Sequence, residues 1–178
     1  AYVTGYGSVD YTGWKVYKEY GVRPAFNLNL DSVLFASAAV GGKPDGGLQP
    51  VSQNYTGNEW KLTLYDSKRN NFSRTTWEVS ASTKGGTVEI SYTDAKTGAN
   101  EYISALIFDD VGNVIYYGRS NASLTEKDGT AQLTIPAGFA EGTYTLKVFN
   151  EQYNGDRKTD LASGFADVTL TVEKRVDE

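Results

Sequence analysis

A chain of 178 residues with neither Cys nor His is closed to disulfides, to thiolate or imidazole metal sites, to Ser-His-Asp and Cys-His nucleophile pairs and to a histidine pH switch. Its net charge of −5 comes from interspersed Asp and Glu with no basic stripe to neutralise phosphates, so no nucleic acid is expected as a partner. No apolar run reaches the roughly 18 residues of a membrane span, so no membrane insertion by this segment is expected.

The elements are all of one kind. Period-2 alternation and turn residues dominate, and no window holds a sustained 3.6-residue apolar period, so the expected class is all-β. Residues 1–9 and 14–20, rich in Tyr, Val, Trp and Thr, flank a Gly-containing turn at Asp10 to Gly13 and predict a hairpin. Val22 to Leu30 alternates as a further strand, with Pro24 favouring an edge position or the strand's beginning. Residues 41–58 (GGKPDGGLQPVSQNYTGN) concentrate Gly, Pro, Asn and Ser without periodicity and predict a linker or long loop.

Strands at sandwich-like spacing follow: Trp60 to Tyr65, Thr76 to Ala81, Thr87 to Thr93, Glu101 to Asp109, Asn113 to Gly118, Thr130 to Ile135, Thr143 to Asn150 and Phe165 to Val172. The expected fold is an immunoglobulin-like β-sandwich of seven to eight strands, preceded by a hairpin plus strand from a truncated second domain. The expected division is 1–43 upstream fragment, 44–58 linker and 59–174 sandwich. Alternation predicts a core of Trp60, Leu62 and Leu64; Val88, Ile90 and Tyr92; Tyr144, Leu146 and Val148; and Val168, Leu170 and Val172, with Lys61, Thr63 and Glu89 outward. Tyr102 to Phe108 is apolar on both faces, as a central strand covered on both sides would be.

Two stretches resemble known domains. PAGFAEGTYTLKVF, Pro136 to Phe149, is similar to the corner before the penultimate strand of bacterial immunoglobulin-like domains. That resemblance implies a bend at Gly142 and a Tyr144 hydroxyl bonded back to upstream backbone. The first 40 residues carry Gly7 to Val9 and Gly21 to Leu28 (GVRPAFNL). They resemble the C-terminal end of a domain of unknown function from secreted or surface proteins of gut Firmicutes, itself distantly similar to formylglycine-generating-enzyme and C-type-lectin-like folds. The upstream W-L-R-S-P element of those domains is missing. The resemblance implies a secreted or cell-surface modular protein of a Gram-positive bacterium, and a start at Ala1 with no Met in the chain agrees with a segment of a longer polypeptide.

Candidate binding residues fall in two places. The hairpin aromatics, Trp14 and Tyr17 foremost, offer ring faces for a sugar or a partner surface, and Arg23 offers a planar fork for a carboxylate or phosphate. The loop between the last two strands offers Tyr153, Arg157 and Lys158. The oxygen-bearing side chains of Asp94 with Asn100 and Glu101, and of Asp109 and Asp110, fit turn chemistry better than a Ca²⁺ loop. Lys61, Glu89 and Asp167 are the residue types of a Lys–carboxylate isopeptide crosslink, but alternation turns Lys61 and Glu89 outward, against the dry site such a reaction needs. No converging carboxylate pair marks glycosidase chemistry, and no catalytic residue, resident metal or cofactor is expected.

The function expected is a non-catalytic module, acting as spacer or as an adhesion domain for a glycan or for a host or bacterial surface protein. The alternative is an accessory domain of a surface carbohydrate-active enzyme whose catalytic part lies upstream. Residues 1–43 are expected to pack on the sandwich or to pair with a second copy as a homodimer.

Overall fold

The computed structural model describes residues 29–52 and 55–174, together with the backbone of two short strands nearer the start, Tyr2–Val3 (β1) and Val9–Asp10 (β2). β1 and β2 pair antiparallel. The remaining strands are β3 (Val33–Ala38), β4 (Gln49–Pro50), β5 (Trp60–Tyr65), β6 (Ser73–Arg74), β7 (Glu78–Ser82), β8 (Gly86–Thr93), β9 (Glu101–Phe108), β10 (Val114–Arg119), β11 (Gly129–Ile135), β12 (Gly142–Gln152), β13 (Asp160–Ala162) and β14 (Ala166–Glu173). Two single 3-10 turns, Leu30–Ser32 and Ser67–Arg69, are capped by Asn29 and Asp66, whose side chains accept from the second residue of each turn.

The molecule is an all-β sandwich of a large curled sheet and a three-stranded sheet. The large sheet runs β3-β5-β13-β12-β9-β10-β4, with β14 continuing beside β12 and β7 lying parallel to β14. The small sheet is β11-β8-β6. Eleven-residue β12 organises the large sheet. Its first half pairs with β14 and its end with β13, while β9 runs along its other edge.

Alternation explains the interior. Val88, Ile90 and Tyr92 of β8 and Ala131, Leu133 and Ile135 of β11 face Ile103, Ala105 and Ile107 of β9, Leu146 and Val148 of β12, and Val168, Leu170 and Val172 of β14. β9 is apolar on both faces because both are covered, with Leu106 turned to the far side of the large sheet. There it joins a second cluster with Phe35, Tyr117, Phe149 and Ala162, edged by Phe108 and Phe165. The Phe149 and Phe165 rings meet edge to face at 5.3 Å. Tyr144 is half-buried, and its hydroxyl donates to the Ala140 carbonyl at 2.9 Å behind Gly142, whose φ of +150° a side chain would disfavour.

Two expectations are corrected. On β5 the faces are exchanged: Lys61 and Thr63 are buried, whereas Trp60 is 57% exposed and Leu62 and Leu64 are half-buried. The stretch expected as one strand over residues 1–9 is instead divided, since Tyr2–Val3 pairs antiparallel with Val9–Asp10; the turn expected at Asp10 to Gly13 lies, beyond Asp10, outside the described residues. Residues 14–20, and nearly all of the strand expected over Val22 to Leu30, lie outside the described residues.

Segment 41–58 is more than a string of small residues. Its Leu48 is wholly buried, β4 pairs with Tyr116 and Tyr117, and backbone bonds tie Leu48 to Thr134 and Val51 to Ile115. Contact is this close because Gly118 lacks a side chain; a Cβ there would stand 2.5 Å from the Leu48 nitrogen. β3, upstream of this segment, pairs antiparallel with β5, downstream of it.

Candidate functional site: a buried lysine–carboxylate cluster

The exchange of faces on β5 has a chemical cause. Asp160 starts β13, which runs parallel to β5 with Asp160 opposite Thr63. Glu151 lies near the end of β12 and is wholly buried. Both carboxylates point to the side of the sheet that carries Phe35 and Phe149, and an isolated carboxylate there would be prohibitively costly. Lys61 answers from β5, its Nζ 2.8 Å from Asp160 Oδ2 and 2.7 Å from the Gly155 carbonyl. Lys43 descends from the loop after β3.

Lys43 is the hub. Its Nζ donates to Asp160 Oδ2 at 2.6 Å, to Thr63 Oγ1 at 2.5 Å and to Glu151 Oε1. It also sits 4.6 Å from the centroid of the Phe35 ring and 5.4 Å from that of Tyr117. On the remaining Glu151 oxygen, Oε2, the hydroxyls of Ser104 (2.6 Å) and Tyr117 (2.7 Å) donate. Asp160 Oδ1 accepts the Asn154 backbone N–H at 2.8 Å. Two cations and two anions therefore cancel, every carboxylate oxygen is occupied, and the Lys43 and Lys61 side chains are each only 2% exposed.

The electrostatics follow from this packing. Burial alone pushes the Glu151 carboxyl upward, but the Lys43 ammonium and the hydrogen bonds from Lys43, Ser104 and Tyr117 outweigh it and hold Glu151 below the usual carboxylate range. Tyr117 is driven well above an ordinary phenol, first by burial and then by the charge of Glu151, so it stays a neutral donor. The cluster links four chain segments: the loop after β3, β5, the end of β12 and the start of β13.

A second buried ion pair adjoins the sandwich core. Arg69 makes a two-pronged pair with Glu101, Nη1 to Oε2 at 2.5 Å and Nη2 to Oε1 at 2.7 Å, and also donates to Asn150 Oδ1 at 2.9 Å. Glu101 is thereby committed to structure. Asp109 is likewise engaged in its own turn, accepting the backbone N–H groups of Val111 and Asn113 and the Asn113 amide. Among the described residues there is no group of three metal-ligating side chains.

Trp14, Tyr17 and Arg23 lie outside the described residues. Tyr153 is half-buried, clamped between the Lys61 ammonium at 4.1 Å and the Arg119 guanidinium at 3.9 Å from its ring centroid. Arg157 is exposed, in a left-handed conformation (φ +57°), and pairs with Glu59 at 3.0 Å. Lys158 is exposed. Of the crosslink candidates, Lys61 is buried, against expectation, while Glu89 is exposed and Asp167 pairs with Lys147 at 2.8 Å. Sequence reasoning missed Lys43, Glu151 and Asp160; the one local signal was Glu151 following a run of core residues on a strand that should then have turned to water.

The outer surface beside the cluster carries a groove of about 640 Å³ with a mixed lining that includes Phe35, Ser37, Ser52, Tyr55, Trp60 and Asn113. Tyr55 and Trp60 meet edge to face at 4.9 Å, with Trp60 largely open to solvent. No family model, curated protein or solved structure matches the chain.

Proposed function

We propose that this chain is a non-catalytic structural module, a spacer of the immunoglobulin-like kind within a secreted or cell-surface protein of a Gram-positive bacterium. The observation that carries the reading is the dry cluster of Lys43, Lys61, Glu151 and Asp160, which fastens the loop after β3 and strand β5 onto the end of β12 and the start of β13. A group of this cost is retained for fixing one arrangement of strands, and here it fixes β3 and its following loop against β12 and β13. The parallel pairing of β7 with β14 adds a second tie between early and late strands. The surface location rests on the resemblance carried by Gly21 to Leu28.

A second reading, glycan or protein adhesion, is favoured by the exposed Trp60–Tyr55 pair beside the groove. A glycan-array screen of the whole chain beside Trp60→Ala separates the two. A spacer gives no specific binding with either protein. Binding lost on Trp60→Ala would replace the spacer reading with the adhesive one.

A further inference from the structure

We propose that Lys43 and Asp160 are joined in the mature protein by an intramolecular isopeptide bond, formed with Glu151 as the proton carrier and Lys61 as the charge that activates the carboxyl group. Lys43 Nζ lies 2.6 Å from Asp160 Oδ2. The carboxyl carbon is one bond further, close to the roughly 3–3.5 Å window of a near-attack pair.

The choice between the two lysines is set by Glu151. Lys43 touches Glu151 and Asp160 at once, whereas Lys61 contacts Asp160 and spends another donor on the Gly155 carbonyl. Lys43 is therefore the nucleophile. Lys61, 2.8 Å from Oδ2, is placed to stabilise the negative charge that grows on that oxygen as nitrogen adds to carbon.

The atoms balance without any co-reactant. One proton passes from the Lys43 ammonium by way of Glu151 to an Asp160 oxygen, so the freed amine adds to the Cγ of a neutral carboxyl group. That protonated oxygen then leaves as water, carrying the relayed proton and a second from nitrogen. One nitrogen proton remains as the amide N–H. Nothing is oxidised or reduced, and Glu151 ends as it began. The site changes from two ion pairs to one, which removes the desolvation cost of two buried charges and favours the condensed form. Water would normally oppose amide formation, but groups held in this register react as though at about 10⁵–10⁸ M, and the site is closed to bulk water.

The bond also has a topological effect. It makes residues 44–159 a closed loop, so tension applied through β3 and β14 passes across the bond and not through the sandwich interior. This goes beyond the spacer reading, and its readout does not depend on what the module does.

The test is the intact mass of the denatured whole chain, followed by a protease map. The mass is expected to fall short of the sequence mass by one water, with the peptides containing Lys43 and Asp160 joined. Glu151→Gln is expected to show the full mass, as is Lys43→Arg. Asp160→Asn, which stays competent, is expected to lose ammonia in place of water. Wild-type protein at full mass overturns the proposal, whether or not any variant folds. So does water loss without the joined peptide, or a joint at Lys61. Crosslinking that persists in Glu151→Gln overturns the role given to that residue.

Discussion

Replacing Glu101 with Gln keeps the shape of the side chain and removes its charge, leaving the Arg69 guanidinium in a site where both residues are only 5% exposed. Breaking a buried pair by removing one partner costs about 3–5 kcal/mol. Asp66 stands 3.2 Å from Arg69 Nε and is partly open to solvent. It takes up some of the orphaned charge, which puts the expected loss near the lower end, about 3 kcal/mol. For a chain of this size that corresponds to a Tm lower by roughly 6–12 °C. Urea unfolding should show the midpoint moving down with an unchanged slope. The double variant Arg69→Met/Glu101→Gln should recover most of the loss, because the uncompensated charge is gone. A single variant within about 0.5 kcal/mol of wild type, the ordinary range for surface changes, would refute the burial argument. So would a double variant no better than the sum of its parts.

Other outcomes follow from the same contacts. Leu146→Ala, in the middle of the core and wholly buried, should cost about 2–5 kcal/mol in chemical unfolding. Gly118→Ala should loosen segment 46–50, because its Cβ would stand 2.5 Å from the Leu48 nitrogen; faster amide exchange at Leu48 and Val51 is the readout, and unchanged exchange would count against the close-approach explanation. Asp109 is held below an ordinary carboxyl, first by the Asn113 side-chain bond and then by backbone N–H groups. Its stabilisation is therefore present above the unfolded carboxyl pKa and is lost as pH falls through the lower folded value. Asp109→Asn should remove that part of the acid dependence, and an acid limb unchanged in the variant would contradict it. Tyr117 is shifted the opposite way, so its contribution is full below the unfolded phenol pKa and is lost as pH rises through the folded one. Tyr117→Phe should flatten the alkaline limb, at a cost of about 1–3 kcal/mol for the acceptor left short on Glu151.

Much of the sandwich was legible because its strands have one wet and one dry face. β8 and β14 alternate without a break, and β9 announced a central position by carrying apolar residues at both parities between Tyr102 and Phe108. β5 misled for a physical reason. Its alternation is real, but Lys61 can face inward only because Asp160, far along the chain, neutralises it, and Thr63 because its hydroxyl accepts from Lys43, which Glu151 balances. Local pattern assigns charge to water, and only tertiary pairing reverses that. Lys43 was hidden by its setting, since a lysine among Gly, Pro and Asp has the composition of a linker whatever it touches. β13 is three residues inside a polar loop, too short to show a period. β3 carries apolar or small residues at both parities, so alternation could not orient it.

Stretching single molecules of the whole chain by their two ends is the most direct test of the bond between Lys43 and Asp160. Residues 44–159 are expected never to extend, so unfolding yields only the length of chain outside that loop, and Lys43→Arg is expected to restore the missing length. An extension matching the entire folded chain in the wild-type protein, at roughly 3.3–3.6 Å per residue, would contradict that bond.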